Sequence, residues 1–227
     1  MAITLDPKAM AGQGAQAGLP MPLFALVQVL AANAIATWWA VRSGWPLLML
    51  VLPFWLQSVV IGWFYRQRIL ALRRFGTQGF EIDGKPVPET AETRTTTANF
   101  LAMHYGFFHV VYAIFLVAFG FAGKLGDTSG LGPDDAWSVL AIGALFVATQ
   151  YVEHRREVAT DRSISPNIGA MMFLPYVRVV PMHVMILVGA AFEGAAATIV
   201  VFGVLKAAAD ALMLVLEERL VARSSTA

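Results

Sequence analysis

The chain has 227 residues, 58% of them hydrophobic and 14% charged, with a mean hydropathy of +0.65 and a formal net charge of +1. A soluble domain of this size carries about a quarter charged residues, so the composition excludes a water-facing globule, and a near-neutral chain offers nothing to nucleic acid. The absence of cysteine removes disulfides, thiolate metal sites, iron–sulfur clusters and cysteine catalysis.

Residues 1–19 hold one basic residue, Lys8, among alanines, glycines and glutamines. They lack the charged-then-apolar order of a cleaved signal and read as a flexible or interfacial tail. Residues 20–219 are expected to form the membrane domain. A helix crossing about 30 Å of hydrocarbon needs roughly 20 mostly apolar residues. The first such run covers 22–41 and closes on Trp38, Trp39 and Arg42, and indole rings favour the headgroup level. After a short turn at Gly44 and Pro46, the second run covers 47–65 and ends in Trp63, Tyr65, Arg66 and Arg68. Residues 66–96 form the one substantial polar segment, a helix extension followed by a cytoplasmic loop. Within it, Asp83-Gly84 between apolar residues predicts a small hairpin.

The third run covers 99–122. Pro133-Asp134-Asp135 is good chemistry for starting the fourth, 136–152, which flows into the charged stretch Glu153-His154-Arg155-Arg156-Glu157. The fifth run, 173–192, is interrupted by Pro175, Arg178 and Pro181; proline is tolerated in membrane helices where neighbours satisfy the freed carbonyl. Glu193-Gly194 turns the chain into the sixth run, 195–216, and residues 220–227 form a C-terminal tail. The expected fold is an all-α bundle of six transmembrane helices.

Charge placement orients it. Six spans put the N-terminus, the second and fourth loops and the C-terminus on one side. That side holds Lys8, Arg66, Arg68, Arg73, Arg74, Lys85, Arg94, Arg155, Arg156, Arg162, Arg219 and Arg223; the other holds Arg42 and Lys124. Basic residues concentrate on cytoplasmic loops, so both termini are expected in the cytoplasm. Five spans would break the pattern.

Ionisable groups inside a bilayer are costly, and each is a functional hypothesis. The intramembrane polar set is Gln57, His104, His109, Arg178, His183, Lys206 and Asp210. Counting about 1.5 Å per residue from the span ends puts Gln57, His104, His183 and Asp210 in one layer of the inner leaflet. His109 and Lys206 lie nearer the midplane. Three interpretations stay open. His104, His183 and Asp210 form a divalent metal site, with two imidazoles and a carboxylate from separate helices. His104 and His183 are axial ligands of one b-type haem. Or the polar groups are buried glue, with Lys206 and Asp210 a self-neutralising i, i+4 pair.

Other features carry less. His104 and His109 are five apart and point to different sides of a helix. The Glu153–Glu157 stretch is expected to be solvated where a helix emerges. Met171, Met172 and Met182 are expected to fill gaps, and Arg178 to snorkel to the headgroups. No nucleophile elbow, phosphate loop, dinucleotide fingerprint or zinc-protease helix is present.

Four stretches occur in a recognisable order: the run from Pro53 through Gln57-Ser58 to Gly62; His104-Tyr105-Gly106-Phe107-Phe108; Arg178 through Pro181-Met182-His183; and Leu205-Lys206 with Asp210. With these the chain resembles a bacterial integral-membrane family known only as a domain of unknown function, over nearly its whole length. The resemblance implies a bacterial inner-membrane location and polar residues on spans two, three, five and six. It brings no activity with it. In that family's pattern Glu-Asn stands where this chain has Gln57-Ser58, and histidine stands near Tyr112 and Leu214. The resemblance thus implies that His104, His183 and Asp210 are kept here while other candidate ligands are replaced.

Three functional classes follow: an integral inner-membrane protein with an intramembrane His/Asp site, a small proton-linked transporter, and a structural or accessory subunit. The expected partners are the lipid bilayer and either another membrane protein or further copies of the chain. Spans one to three share no motif with spans four to six, which speaks against an inverted-repeat transporter.

Overall fold

The computed structural model describes residues 3–5, 23–123, 127–129, 132–177, 179, 180, 183, 184 and 196–225. Among them run helices α1 (Leu23–Arg42), α2 (Leu47–Ala71), α3 (Ala91–Phe121), α4 (Pro133–Asp161), the short α5 (Ile168–Phe173) and α6 (Ala196–Ser225). Strands β1 (Ile3–Leu5), β2 (Phe80–Ile82) and β3 (Lys85–Pro86) complete the set. Four of the helices, α2, α3, α4 and α6, are long and apolar enough to cross a membrane. The backbone at Tyr176, Val177, Val179, Val180, His183 and Val184 is helical too. Arg178, Pro181, Met182, Glu193 and Gly194 lie outside the described residues, as does most of the expected fifth span.

α2 is the hub. Its most apolar stretch is 56% buried, against 17% for that of α4. It packs along α3 on one side and α4 on the other, while α1 lies along α6. Small residues make these approaches close. A Cβ at Gly62 would collide with the Tyr105 ring of α3, and one at Gly203 would collide with Thr37 of α1. Membrane helices depend on such contacts because lipid gives them no hydrophobic drive to associate. Phe54 joins three helices by stacking on Phe146 of α4 (5.0 Å) and meeting Phe202 of α6 edge-on (5.4 Å). The outer face of α3 is an apolar stripe of Met103, Phe107, Val110, Ile114 and Val117, all exposed at helical spacing. A surface of this kind suits lipid and not water.

One end of the bundle is elaborately tied together. The predicted hairpin forms, with Asp83 and Gly84 at φ 51° and 73°, the left-handed pair that a tight hairpin turn requires. β1 adds to its edge, Ile3 opposite Ile82 and Leu5 opposite Phe80, so part of the expected tail is a strand of an antiparallel sheet. The connection between α4 and α5 docks on the same platform: Gly76 N donates to Pro166 O, Ile168 N to Gly76 O, and Asn167 Nδ2 to Gln78 O (3.0, 3.0 and 2.8 Å). Phe75, Phe80, Val87, Ile168, Met171 and Met172 are buried there.

Arg68 anchors this end. Its guanidinium meets Asp161 (2.9 and 3.2 Å) and Glu157 (2.9 Å) from α4, and Glu217 (3.3 Å) from α6, while only 4% of the side chain is exposed. Tyr65, whose ring lies 4.7 Å beneath the guanidinium, donates its hydroxyl to Glu217.

As the expected helix extension, α2 continues to Ala71 before its chain turns extended at Leu72. One boundary differs from expectation. α3 begins at Ala91, eight residues before the expected 99. Thr90 caps it by accepting from Thr93 N (3.2 Å), and Glu92 sits in its first turn, where the helix dipole favours negative charge. The Glu153–Glu157 stretch is helical and only partly solvated, because Glu157 is drawn to Arg68 and His154 stacks on Phe64 (4.5 Å).

Removing one partner of a buried ion pair costs about 3–5 kcal/mol. Arg68→Met, which leaves three carboxylates facing one another, is expected to lower the unfolding midpoint in detergent strongly. Arg66→Met, at a half-buried site with one bond to Asn99, is expected to leave it nearly unchanged.

Candidate intramembrane polar site

Away from the Arg68 cluster, three groups of polar side chains among the described residues each link two helices; the first and third are buried, and the second carries the exposed His104 and His183. The first closes the seam between α2 and α3. His109 Nδ1 lies 2.9 Å from the carbonyl of Tyr105, one turn back on its own helix. A carbonyl only accepts, so Nδ1 carries the proton and Nε2 is the acceptor. Ser58 Oγ, 3.0 Å away, donates to it. Tyr105 Oη lies 2.8 Å from Ser58 Oγ and 3.1 Å from the Ser58 carbonyl, and Trp55 Nε1 donates to the His109 carbonyl (3.1 Å). A serine hydroxyl on a neutral histidine is the arrangement of an activated nucleophile. Here, however, Ser58 and His109 are each only 3% exposed, which leaves no approach for a substrate. The group is an interhelical link.

The second group joins α3 to the helical residues around 176–184. His104 Nδ1 meets Tyr176 Oη at 2.7 Å, with Phe100 stacked on the imidazole (5.2 Å), and His183 Nδ1 meets Tyr112 Oη at 3.1 Å. The pairings run in register, 104 with 176 and 112 with 183. His183 therefore sits at the depth of Tyr112, about 12 Å along the axis from His104. The common layer expected for these histidines is not there, and one haem iron cannot take both as axial ligands.

The third group lies between α1 and α6. Asp210 Oδ2 accepts from Lys206 Nζ (2.5 Å) and from Asn33 Nδ2 (3.0 Å), and Asn33 Nδ2 also reaches the Val29 carbonyl (2.9 Å). Lys206 Nζ stands 4.9 Å over the Phe54 ring of α2. Asn33, Lys206 and Asp210 are each 4% exposed. Two side-chain carbonyl oxygens remain: Asn33 Oδ1 and Gln57 Oε1 are buried and accept no hydrogen bond among the described residues.

The expected metal set of His104, His183 and Asp210 is thus not assembled. Each of the three is held by a different partner, and among the described residues no three His, Asp or Glu side chains stand close enough to share an ion. Asp210 is bonded within the α1–α6 pair, and the histidines lie along α3. Arg178 lies outside the described residues. Asn33 was not among the residues singled out from the sequence. Its amide, like that of Gln57, is a signal the sequence carries, because a polar amide inside an apolar span can bond across helices.

The profile of a family of unknown function, DUF6498, matches residues 19–227. The chain belongs to the DUF6498 family. The sequence resemblance to a family of unknown function is thereby borne out. No curated protein and no solved structure matches the chain. In this DUF6498 protein the matched region contains the six described helices α1–α6 and the three polar groups.

Polar side-chain bonds between membrane helices contribute about 0.6 kcal/mol on average. A double-mutant cycle on Ser58→Ala and His109→Ala, followed by unfolding in mixed micelles, is expected to give a coupling of about that size. Additive single effects would show that the two side chains do not meet.

Proposed function

We propose that this DUF6498 protein is a six-span protein of the bacterial cytoplasmic membrane with both termini inside, and that it works as a small proton-linked carrier through Lys206, Asp210 and Asn33. Two observations support the orientation. The N-terminal strand, the connections after α2 and α4, and the end of α6 that carries Glu217 gather at one end of the bundle. That end holds most of the lysines and arginines, as expected of a cytoplasmic face. α1 and the helical residues around 176–184 supply the two spans beyond the four long apolar helices.

The observation that carries the carrier function is the buried Lys206–Asp210 pair on a membrane-spanning helix. Ionised groups at that depth are costly, and apolar residues of similar volume hold helices together at least as well. A lysine and an aspartate that can pass a proton give the expense a purpose. An accessory or structural role is the second reading. It is favoured by the Ser58–Tyr105–His109 link and the two His–Tyr pairs, whose polar atoms are spent on joining helices. It requires a stable partner in native membranes.

The test is proton movement in proteoliposomes carrying a trapped pH dye. Wild-type protein is expected to move protons when an ion gradient is imposed. Asp210→Asn is expected to abolish the signal and His104→Ala to retain most of it. Silent wild-type liposomes, together with co-purification in a larger complex after mild extraction, would favour the accessory role.

A further inference from the structure

The Lys206–Asp210–Asn33 centre contains more oxygen than its own hydrogen bonds use. Asn33 Oδ1 and Gln57 Oε1 are buried acceptors without donors, on residues 4% and 8% exposed. Buried carbonyl oxygens in native proteins are almost always satisfied, and exceptions point to an ion, a water or a strained function. α2 and α6 run in the same direction, because Phe54 lies beside Phe202 and Lys206 while Arg68, farther along, meets Glu217. Gln57 is three residues on from Phe54 and Asp210 four on from Lys206, so both lie about one turn toward the same end. Asn33 is bonded to Asp210 directly (3.0 Å).

One carboxylate and two amide carbonyls make a hard, singly charged oxygen set. Such oxygens replace the hydration shell of an alkali cation. A divalent ion is disfavoured by the single carboxylate and the neighbouring ammonium. A transition metal is disfavoured by the absence of imidazole or thiol donors from the set.

Resting on the carrier reading above, we infer that this centre is a sodium-class cation site in which the cation competes with the Lys206 proton for Asp210. In the described state Lys206 Nζ occupies the cationic position, 2.5 Å from Asp210 and above the Phe54 ring. When a monovalent cation binds Asp210, Asn33 Oδ1 and Gln57 Oε1, the ammonium of Lys206 releases one proton to water and withdraws as the neutral amine against Phe54. One cation enters for one proton lost, so the charge of the centre is unchanged. Among the described residues the groups that meet it from the packed helices include Asn33 on α1 and Phe54 on α2, with Gln57 one turn beyond Phe54; α4 packs on the same Phe54 and carries Gln150 bonded to Glu153 (2.9 Å) one to two turns beyond Phe146. Among the described residues the further charges along α2 toward that end are Arg66 and Arg68, and along α6 the next is Glu217, seven residues beyond Asp210, which is about 10 Å.

The test uses the purified full-length chain in detergent, with sodium chloride against choline chloride at constant ionic strength. Sodium is expected to raise the unfolding midpoint where choline does not. In weakly buffered solution it is expected to release about one proton per ion bound. Its apparent affinity is expected to fall as pH is lowered, approaching tenfold per unit for a one-proton exchange. Lys206→Gln is expected to keep sodium binding without proton release. Asn33→Val and Gln57→Leu, each checked for a cooperative unfolding transition, are expected to weaken binding at least tenfold. Wild-type protein that responds alike to sodium, lithium, potassium and choline would overturn the inference, as would sodium binding without proton release. Undiminished binding in both amide variants would overturn the assigned ligands. Proton movement in liposomes without any cation response would sink this inference and leave the carrier standing. A cation response with silent liposomes would retain the site and remove the carrier.

Discussion

A single buried guanidinium organises this bundle. Arg68 at the end of α2 is 4% exposed and is met by Asp161 and Glu157 of α4 and by Glu217 of α6. An arginine cannot shed its charge, so burial is tolerable only where carboxylates surround it. Its fork engages both oxygens of Asp161, which fixes direction as well as distance. Three helices far apart in sequence are thereby held in register at one end. The platform built from β1, the hairpin and the α4–α5 connection sits on that fixed end. Among the described residues the opposite end is tied more lightly, with Trp45 Nε1 donating to Asp135 Oδ1 (3.1 Å) at the start of α4.

With the register fixed, the faces of α2 divide the remaining work. One face packs on α3 through Gly62, Ser58 and Trp55, where close backbone approach and a chain of hydrogen bonds replace the hydrophobic effect that lipid does not supply. Another carries Phe54 to Phe202 and Lys206, and so to the α1–α6 pair. The structural histidine and the ionised pair therefore lie on different seams of the same helix. Under the proposed carrier function, that separation would let the Lys206–Asp210 centre change its protonation without loosening the α2–α3 contact.

The apolar helices were legible in the sequence because crossing length and hydropathy are set by the bilayer. The hairpin was legible from Asp83-Gly84, and the Lys206–Asp210 pair from its i, i+4 spacing. The site geometry was not, for identifiable reasons. Depths were counted from the edges of apolar runs, but Thr90 starts α3 eight residues earlier than its apolar run begins. Tyr176, near the start of the expected fifth run, already stands level with His104, and the assumed common layer of histidines fails for that reason. Arg68, Glu157, Asp161 and Glu217 each resemble solvated charge at a membrane rim when taken singly. Their convergence depends on helix register, which local sequence does not encode.

The account depends on the gathered end of the bundle facing the cytoplasm. The chain contains no cysteine, so single cysteines can be placed without background. Ser43→Cys and Asp127→Cys report the lightly tied end, and Lys85→Cys and Ser163→Cys the gathered end, all at exposed positions. With a membrane-impermeant maleimide on intact spheroplasts, the first two are predicted to label and the last two to label only after lysis. Labelling of Lys85→Cys or Ser163→Cys in intact cells would contradict the orientation, and with it the six-span arrangement with both termini inside.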